Sequence, residues 1–311
     1  MISIKEKTTI DDWEGLLQEY LIDDRHLRDK DQIVNIISKL KVDLEGKKRI
    51  IFCAYLDDIP CGFISGSPEG EILEIVTLYI QPVSYPYNCG YELIKAITTK
   101  AFESNFQHLR LTQRLPFNME PTMEQNLELT GYLLFHRVEM LLDIQQNFDE
   151  VITLPKDYSF EPFTLDKVDG IMAVVVSAGK SNDHPDYHIY PEMRDQESTK
   201  KVFSRFTNNF SQITPELNPQ LMYNGEVIGM SMVFNQNSET AFVGEVSLNP
   251  IHQRKGLGKA MMKKIIIECS KKGIKQLGLA VSVDNIPAYT LYQKLGFKET
   301  ANFLAIIKHR N

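Results

Sequence analysis

Hydrophobic and polar positions along residues 157–311 fall into a regular succession of elements. A short apolar stretch near Ser159–Pro162 predicts a strand, and the run from Asp166 predicts a helix capped by Thr164 or Asp166. A second helix is predicted over Gln196–Asn208. Leu221-Met222-Tyr223, then Asn224-Gly225, then Val227–Asn235 reads as a hairpin, because Asn-Gly supplies the left-handed residues of a tight turn. Ala241–Leu248 reads as an apolar strand closed by Asn249-Pro250. No Gly or Pro stands between Gly258 and Gly273, which predicts a helix over Lys259–Lys272. A strand at Gln276–Val283, a helix at Pro287–Leu295 and a strand at Phe297–Lys308 complete the series. A hairpin meander followed by a crossover predicts an α+β (mixed α/β) domain with a mostly antiparallel sheet flanked by helices.

The same pattern occurs twice. Glu6–Leu16 lines up with Glu161–Ile171, Leu78–Pro82 with Val246–Pro250, and Gly131-Tyr132 with Gly296-Phe297, at offsets of 155, 168 and 165 residues. One insertion and a small deletion reconcile the offsets, so the chain reads as a duplicated domain, 1–150 and 151–311. The boundary is expected near Phe148–Asp157. The net insertion of 13 residues falls on Ser181–Pro191, which is either a functional loop or a tolerated surface addition.

Composition narrows the class. Hydrophobic residues at 43% and charged residues at 24% are ordinary for a globular chain, and no apolar run is long enough to span a bilayer. The first twelve residues lack the apolar core of a signal peptide, and Cys53, Cys61, Cys89 and Cys269 have no metal-type spacing. These features predict a cytoplasmic protein without structural metal and without a membrane or nucleic-acid partner; they leave the oligomeric state open. The net charge of −7 is unevenly spread. Residues 1–150 hold 15 Lys+Arg against 25 Asp+Glu, and residues 151–311 hold 19 against 16. The second half is thus better suited to a polyanion.

That half also carries an anion-binding turn. Gln253-Arg254-Lys255-Gly256-Leu257-Gly258-Lys259 joins the strand ending at Pro250 to a helix start. Unpaired N–H groups and the positive end of the helix dipole face such a turn, and the glycines let the backbone close on a phosphate. A dinucleotide fingerprint would need a third glycine where Met261 stands.

Two motifs in order resemble the GNAT superfamily of acyl-CoA N-acyltransferases over nearly all of Asp157–Asn311. The first comprises Val246, Leu248, Pro250, Gln253, Gly256 and Gly258; the second comprises Leu279, Val281, Asn285, Ala288, Leu291, Tyr292, Gly296 and Phe297. The resemblance implies an N-acetyltransferase that uses acetyl-CoA as co-substrate, with no metal, and a small amine as acceptor. It implies that the backbone of Val246, Ser247 and Leu248 and the turn Gln253–Lys259 hold the coenzyme, with Asn285 touching its pantetheine arm as well as capping a helix. Tyr292 takes the place of the tyrosine that protonates the departing thiolate. Glu245 shares a strand face with Ser247, opposite Val246 and Leu248, and is the candidate general base; a solvated or paired carboxylate is the other reading. Asp183, His184, Asp186 and His188 form a cluster that is either acceptor-binding or a solvated loop, and His252 reads as structural.

In the first half Tyr85, Asn88 and Gly90 replace Gln253, Gly256 and Gly258, Pro86 replaces Arg254, and Leu127 replaces Tyr292. That half reads as a degenerate copy, structural or acceptor-binding, in a tandem layout like that of mycothiol synthase. The rival reading of the whole chain is a non-catalytic acyl-CoA-binding regulator or scaffold.

Overall fold

In the computed structural model, the described residues are 1–23, 29–112, 122–144, 151–181, 185–208 and 213–310. The chain forms two compact units, Met1–Phe135 with Phe303–Asn311, and His136–Asn302. The units therefore part at 135/136 and again at 302/303 rather than once near 148–157.

The first unit contains β1 (Ile2–Lys7), α1 (Glu14–Asp23), α2 (Lys30–Glu45), β2 (Ile50–Leu56), β3 (Ile59–Glu69), β4 (Ile72–Ile80), α3 (Cys89–Glu103), β5 (His108–Leu111) and α4 (Met123–Leu129). Strand β6 (Leu133–Asp143) begins in this unit, and its residues from His136 belong to the second. The second unit continues with β7 (Tyr158–Glu161), α5 (Val168–Ser181), α6 (Pro185–Ile189), α7 (Gln196–Asn208), β8 (Gln220–Tyr223), β9 (Glu226–Asn235), β10 (Thr240–Leu248), α8 (Leu257–Lys271), β11 (Gln276–Ser282) and α9 (Ile286–Lys294). Strand β12 (Lys298–His309) ends in the first unit, where Ile306–His309 pair antiparallel with His108–Leu111.

Each unit thus receives one strand segment from the other half of the sequence. In the first the strand order is β1-β2-β3-β4-β5-β12; in the second it is β6-β11-β10-β9-β8-β7. Each sheet has one parallel pair, β4 with β5 and β10 with β11, where a helix carries the chain back over the sheet. The other pairs are antiparallel, as the mixed pattern of the sequence requires.

Apart from the insertion, the two halves repeat one element order. The hairpin forms at Asn224 and Gly225, with φ of 49° and 82°. Thr164 precedes a short 3-10 turn at Leu165–Lys167, and its hydroxyl makes no capping bond there, so of the two expected caps the Thr164 one does not form. The second unit buries Val138, Met140, Val243, Met262, Ile265, Ile266, Leu277, Leu279 and Phe297 between sheet and α8. A further layer of Phe163, Ile171, Val175, Phe203, Met230 and Met232 lies beneath α5 and α7 on the other face. Among the described residues no helix is long and apolar enough to cross a membrane.

Candidate active site

Strand β10 pairs with β11 only over Thr240–Val243, although β11 runs on to Ser282. Beyond Val243 the two strands part, and Glu245–Leu248 remain paired with β9. A bulge between Val243 and Glu245 accompanies the parting. The extra residue, Gly244, resets the alternation: Val246 and Leu248 pack toward Leu257 and Met261 of α8, while Glu245 and Ser247 turn to the opposite face. A Cβ at Gly244 would lie 2.5 Å from the Phe234 ring, so a larger residue there would require that ring to move.

The backbone of β10 also has a direction here. Asn249 N–H donates to Ile228 O of β9 at 2.8 Å, so the alternate residues Leu248 and Val246 point their N–H groups away from β9, into the gap left by β11. The Leu248 carbonyl, on the same edge, accepts from Gln253 Nε2 at 3.2 Å.

The turn that follows opens beside this gap. A single 3-10 turn, Pro250–His252, is capped by Asn249, whose side chain accepts from Ile251 N–H. Arg254 and Gly256 are left-handed, with φ of 62° and 78°. Gly256 is the N-cap of α8 and has no side-chain capping bond; a Cβ built there meets nothing within 4 Å. Leu257, Gly258 and Lys259 are first-turn residues, whose N–H groups have no acceptor within the helix. Arg254, Lys255 and Lys259 are exposed around them, and Leu257 is buried. A Cβ at Gly258 would stand 3.6 Å from Leu248 and 3.9 Å from Leu291, so turn, strand end and α9 converge. Open N–H groups, space without side chains and three cations fit a pyrophosphate-bearing substrate. His252 Nδ1 lies 2.8 Å from the Tyr158 hydroxyl, and Lys255 Nζ donates to that oxygen at 3.2 Å. Burial, and then the charge of Lys255, hold the His252 imidazole below its ordinary pKa.

A polar cluster occupies the other side of the gap. Asp186, on α6, accepts from Ser282 Oγ at 2.6 Å and from Asn285 Nδ2 at 2.9 Å, and pairs with Arg137 Nη1 at 3.1 Å. Asn285 Oδ1 meanwhile accepts from Ala288 N–H, capping α9. Ser247 Oγ donates to Glu245 Oε1 at 2.5 Å, and the Tyr187 hydroxyl hydrogen-bonds Ser247. Tyr292, on α9, packs beside Phe297 with ring centroids 5.8 Å apart.

The ionisable groups here influence one another. Burial raises the Glu245 carboxyl above the usual carboxylate range; Asp186 adds to this, while Ser247 and Arg137 oppose it. Burial, and then the charges of Glu245 and Asp186, raise the Tyr292 phenol. Tyr187 is raised by burial first, and next by Glu245. Both phenols therefore stay protonated across the neutral range.

Glu245, Ser247, Asn285 and Tyr292, all singled out in the sequence, come together with Asp186. The sequence reading missed Arg137, Tyr187 and Ser282. Arg137 precedes the expected domain boundary, and only the exchange of β6 into this sheet brings it here. Tyr187 lies in the inserted segment, whose helical turn could have been suspected from Pro185 onward. Of the loop cluster, Asp183 and His184 lie outside the described residues, and His188 is on α6. Among the described residues no group of three or more His, Cys, Asp or Glu could hold a metal ion.

The corresponding turn of the first unit has another shape. Asn88, with φ of 54°, caps α3 as Gly256 caps α8. Tyr132 N–H bonds Leu127 O just as Phe297 N–H bonds Tyr292 O. Yet the 3-10 coil runs on from Pro82 to Tyr87 and includes Pro86, whose ring cannot adopt the left-handed geometry of Arg254. Cys89, Leu93 and Leu127 are buried there, with Tyr85 and Tyr91 packed against them.

Comparison with known proteins agrees with this geometry. The family model described as acetyltransferase (GNAT) family matches residues 185–297. The chain is similar to the ribosomal protein bS18-alanine N-acetyltransferase of Escherichia coli, with 31% identity over 125 residues, 40% of this chain and 80% of that protein. Among solved structures, it resembles a GCN5-related N-acetyltransferase from Sphaerobacter thermophilus, with a TM-score of 0.62 and 14% identity, over 99% of this chain and 95% of that one. A tandem GNAT protein from the clavulanic acid biosynthesis pathway aligns with a TM-score of 0.53 and 14% identity, over 99% of this chain and 98% of that one.

Proposed function

The chain belongs to the GNAT family of acetyltransferases, and from this footing we propose that it moves the acetyl group of acetyl-CoA directly onto a primary amine of a small, cationic acceptor. The observation that carries the reading is the parting of β10 from β11 beyond Val243, with an open helix-start turn on one side and Tyr292 beside Glu245 on the other. A thioester substrate laid in this gap has its phosphates at the N–H groups of Gly256–Lys259 and its carbonyl near the N–H groups of Val246 and Leu248. Those backbone donors stabilise the oxyanion that forms as the amine attacks. Glu245, ionised, is the sink for the proton lost by the amine, and Tyr292 supplies the proton taken by the thiolate. A tyrosinate left at Tyr292 regains its proton from Glu245, because a phenol binds it more tightly than a carboxyl group. With Asp186 paired to Arg137, the carboxylate of Glu245 is the group that favours a cationic acceptor. The catalytic machinery is proposed for the second unit alone, with the first as a scaffold.

Thiol release from acetyl-CoA, measured with spermidine, benzylamine and an alanine-initiated pentapeptide, tests the reading. Spermidine should accelerate release most. Binding of acetyl-CoA without release in the presence of any amine would overturn transfer. Faster release with the pentapeptide would overturn the small acceptor and favour a peptide amine, the kind of group named for the Escherichia coli relative.

A further inference from the structure

Helix α6 lies in the inserted segment, which has no counterpart in the first half of the chain, yet the second unit holds it on several sides. Ile189 is fully buried, and the Tyr187 ring lies on Gly179 of α5, where a Cβ would come within 3.3 Å of its Cδ1. The Tyr190 N–H bonds back to the Asp186 carbonyl at 3.0 Å. Asp186 is thus presented to the rest of the site from a fixed backbone.

The two oxygens of its carboxylate reach different elements. Oδ1 accepts from Ser282 Oγ at 2.6 Å and pairs with Arg137 Nη1 at 3.1 Å. Ser282 is the last residue of β11, and Arg137 stands opposite it on β6. Oδ2 accepts from Asn285 Nδ2 at 2.9 Å. Asn285 is the N-cap of α9: its Oδ1 accepts from the Ala288 N–H at 3.2 Å, and its own N–H bonds the Ser282 carbonyl at 2.9 Å. One carboxylate therefore ties the end of a strand to the start of the next helix across the turn Val283-Asp284.

Tyr292 lies on that helix, seven residues beyond Asn285, which is two turns and about 10 Å along the axis. A tilt of roughly 6° at the junction shifts that position by about 1 Å, and a misplacement of that size can cost about 100-fold in rate. The first half supplies a contrast. There Leu127, which has no proton to give, takes the place of Tyr292, and α4 begins at Thr122, whose side chain makes no capping bond and turns instead to Asn88. Insertion and acid occur together in one half of the chain and are both missing from the other.

We propose that Asp186 is a positioning residue for Tyr292: by fixing the β11–α9 junction through Ser282 and Asn285, it sets the phenol where the thiolate leaves. This rests on the transferase reading above. Asp186 takes no proton in the reaction. Tyr292 gives its proton to sulfur as the C–S bond breaks, and Asp186 fixes the angle at which α9 brings it there.

The test uses the full chain, acetyl-CoA, and whichever of spermidine, benzylamine and the alanine pentapeptide the wild type turns over fastest, at a temperature where circular dichroism shows every variant folded. Asp186→Ala should lower kcat about 100-fold with an unchanged KM for acetyl-CoA. In a Tyr292→Phe background, where no phenol remains to be placed, the same substitution should change kcat by less than about threefold, the scatter of independent sites. Asn285→Asp keeps a cap for α9 and leaves the Arg137 pair in place, but loses the N–H that reaches Asp186; it should repeat both kcat results. An equal loss in the wild-type and Tyr292→Phe backgrounds overturns the positioning role while leaving transfer intact. So does a wild-type kcat in either Asp186→Ala or Tyr292→Phe. Absence of amine-dependent turnover in the wild type overturns transfer itself, and the positioning role with it.

Discussion

Replacing Asp186 by alanine removes a carboxylate that Arg137, Ser282 and Asn285 share. The Arg137 side chain is 6% exposed and that of Asp186 is 25% exposed, so the change takes an ion-pair partner from a guanidinium that water reaches poorly. Breaking a fully buried pair costs about 3–5 kcal/mol, mostly because the surviving charge loses its partner. Two features reduce that figure here. The partial exposure of Asp186 screens the pair, and Arg137 keeps a 3.4 Å bond to the Ala280 carbonyl and lies 5.7 Å from the Tyr190 ring. The expected loss is therefore about 2–3 kcal/mol. At roughly 2–4 °C per kcal/mol for a domain of this size, the melting transition should fall by about 4–12 °C.

A double-mutant cycle separates this cause from simple loss of packing. Arg137→Met alone leaves the carboxylate its bonds from Ser282 and Asn285, and in Arg137→Met with Asp186→Ala neither member of the ion pair remains to be stranded. The double variant, followed by differential scanning calorimetry, should be at least about 1 kcal/mol more stable than the sum of the single losses predicts, well outside the ~0.5 kcal/mol scatter of independent sites. Strict additivity would refute the argument, because it would mean that Asp186 acts without reference to the charge of Arg137.

Two further outcomes can be checked. Gly256→Ala forces a Cβ into a left-handed position with φ of 78° but meets no atom within 4 Å, so stability should drop by only about 1–2 kcal/mol; titration calorimetry should nevertheless show acetyl-CoA binding more than about tenfold weaker, and unchanged affinity would remove the turn from the coenzyme site. Burial and the nearby Asp186 raise the Glu245 pKa, and only its ionised form takes a proton, so kcat/KM should climb with pH through a limb above the ordinary carboxylate value of about 4.3; Glu245→Gln should abolish that limb with most of the rate, and a limb that persists would assign it to another group.

The sequence foretold what local chemistry decides. Asn224-Gly225 makes its hairpin because those residues accept positive φ, and helix α7 spans Gln196–Asn208 as its residues suggest. Asn285 caps α9 because an amide oxygen can reach the Ala288 N–H three residues on. What escaped the sequence depends on distant residues. No local pattern marks the bulge at Gly244, and the crowding of that position comes from the Phe234 ring on the neighbouring strand. Nor does any pattern show that β6 pairs with β11, or β12 with β5, since such pairing is settled by sheet edges far apart in the chain. Arg137 was hidden for that reason. Asp186 was visible as a residue but not as an anchor, because its partners come from three separate elements.

The two helix-start turns show how little backbone change separates an open anion site from a filled one. Asn88 and Gly256 hold the same left-handed cap, so the glycine alone does not make the site. The difference arises two residues earlier. Gln253 is extended and ends the 3-10 turn at His252, and Arg254, left-handed, then leads into the open loop. Pro86 is confined to negative φ and lets the 3-10 coil continue to Tyr87. The remaining space is closed by Cys89 and Leu93, with Tyr85 and Tyr91 against them. Restoring glycine at 88 would relax a cap that already forms, whereas the proline and the apolar filling would still bar a phosphate. On the proposed reading the first unit is therefore a scaffold, and holding a polyphosphate would depend on the left-handed geometry of Arg254 as much as on Gly256.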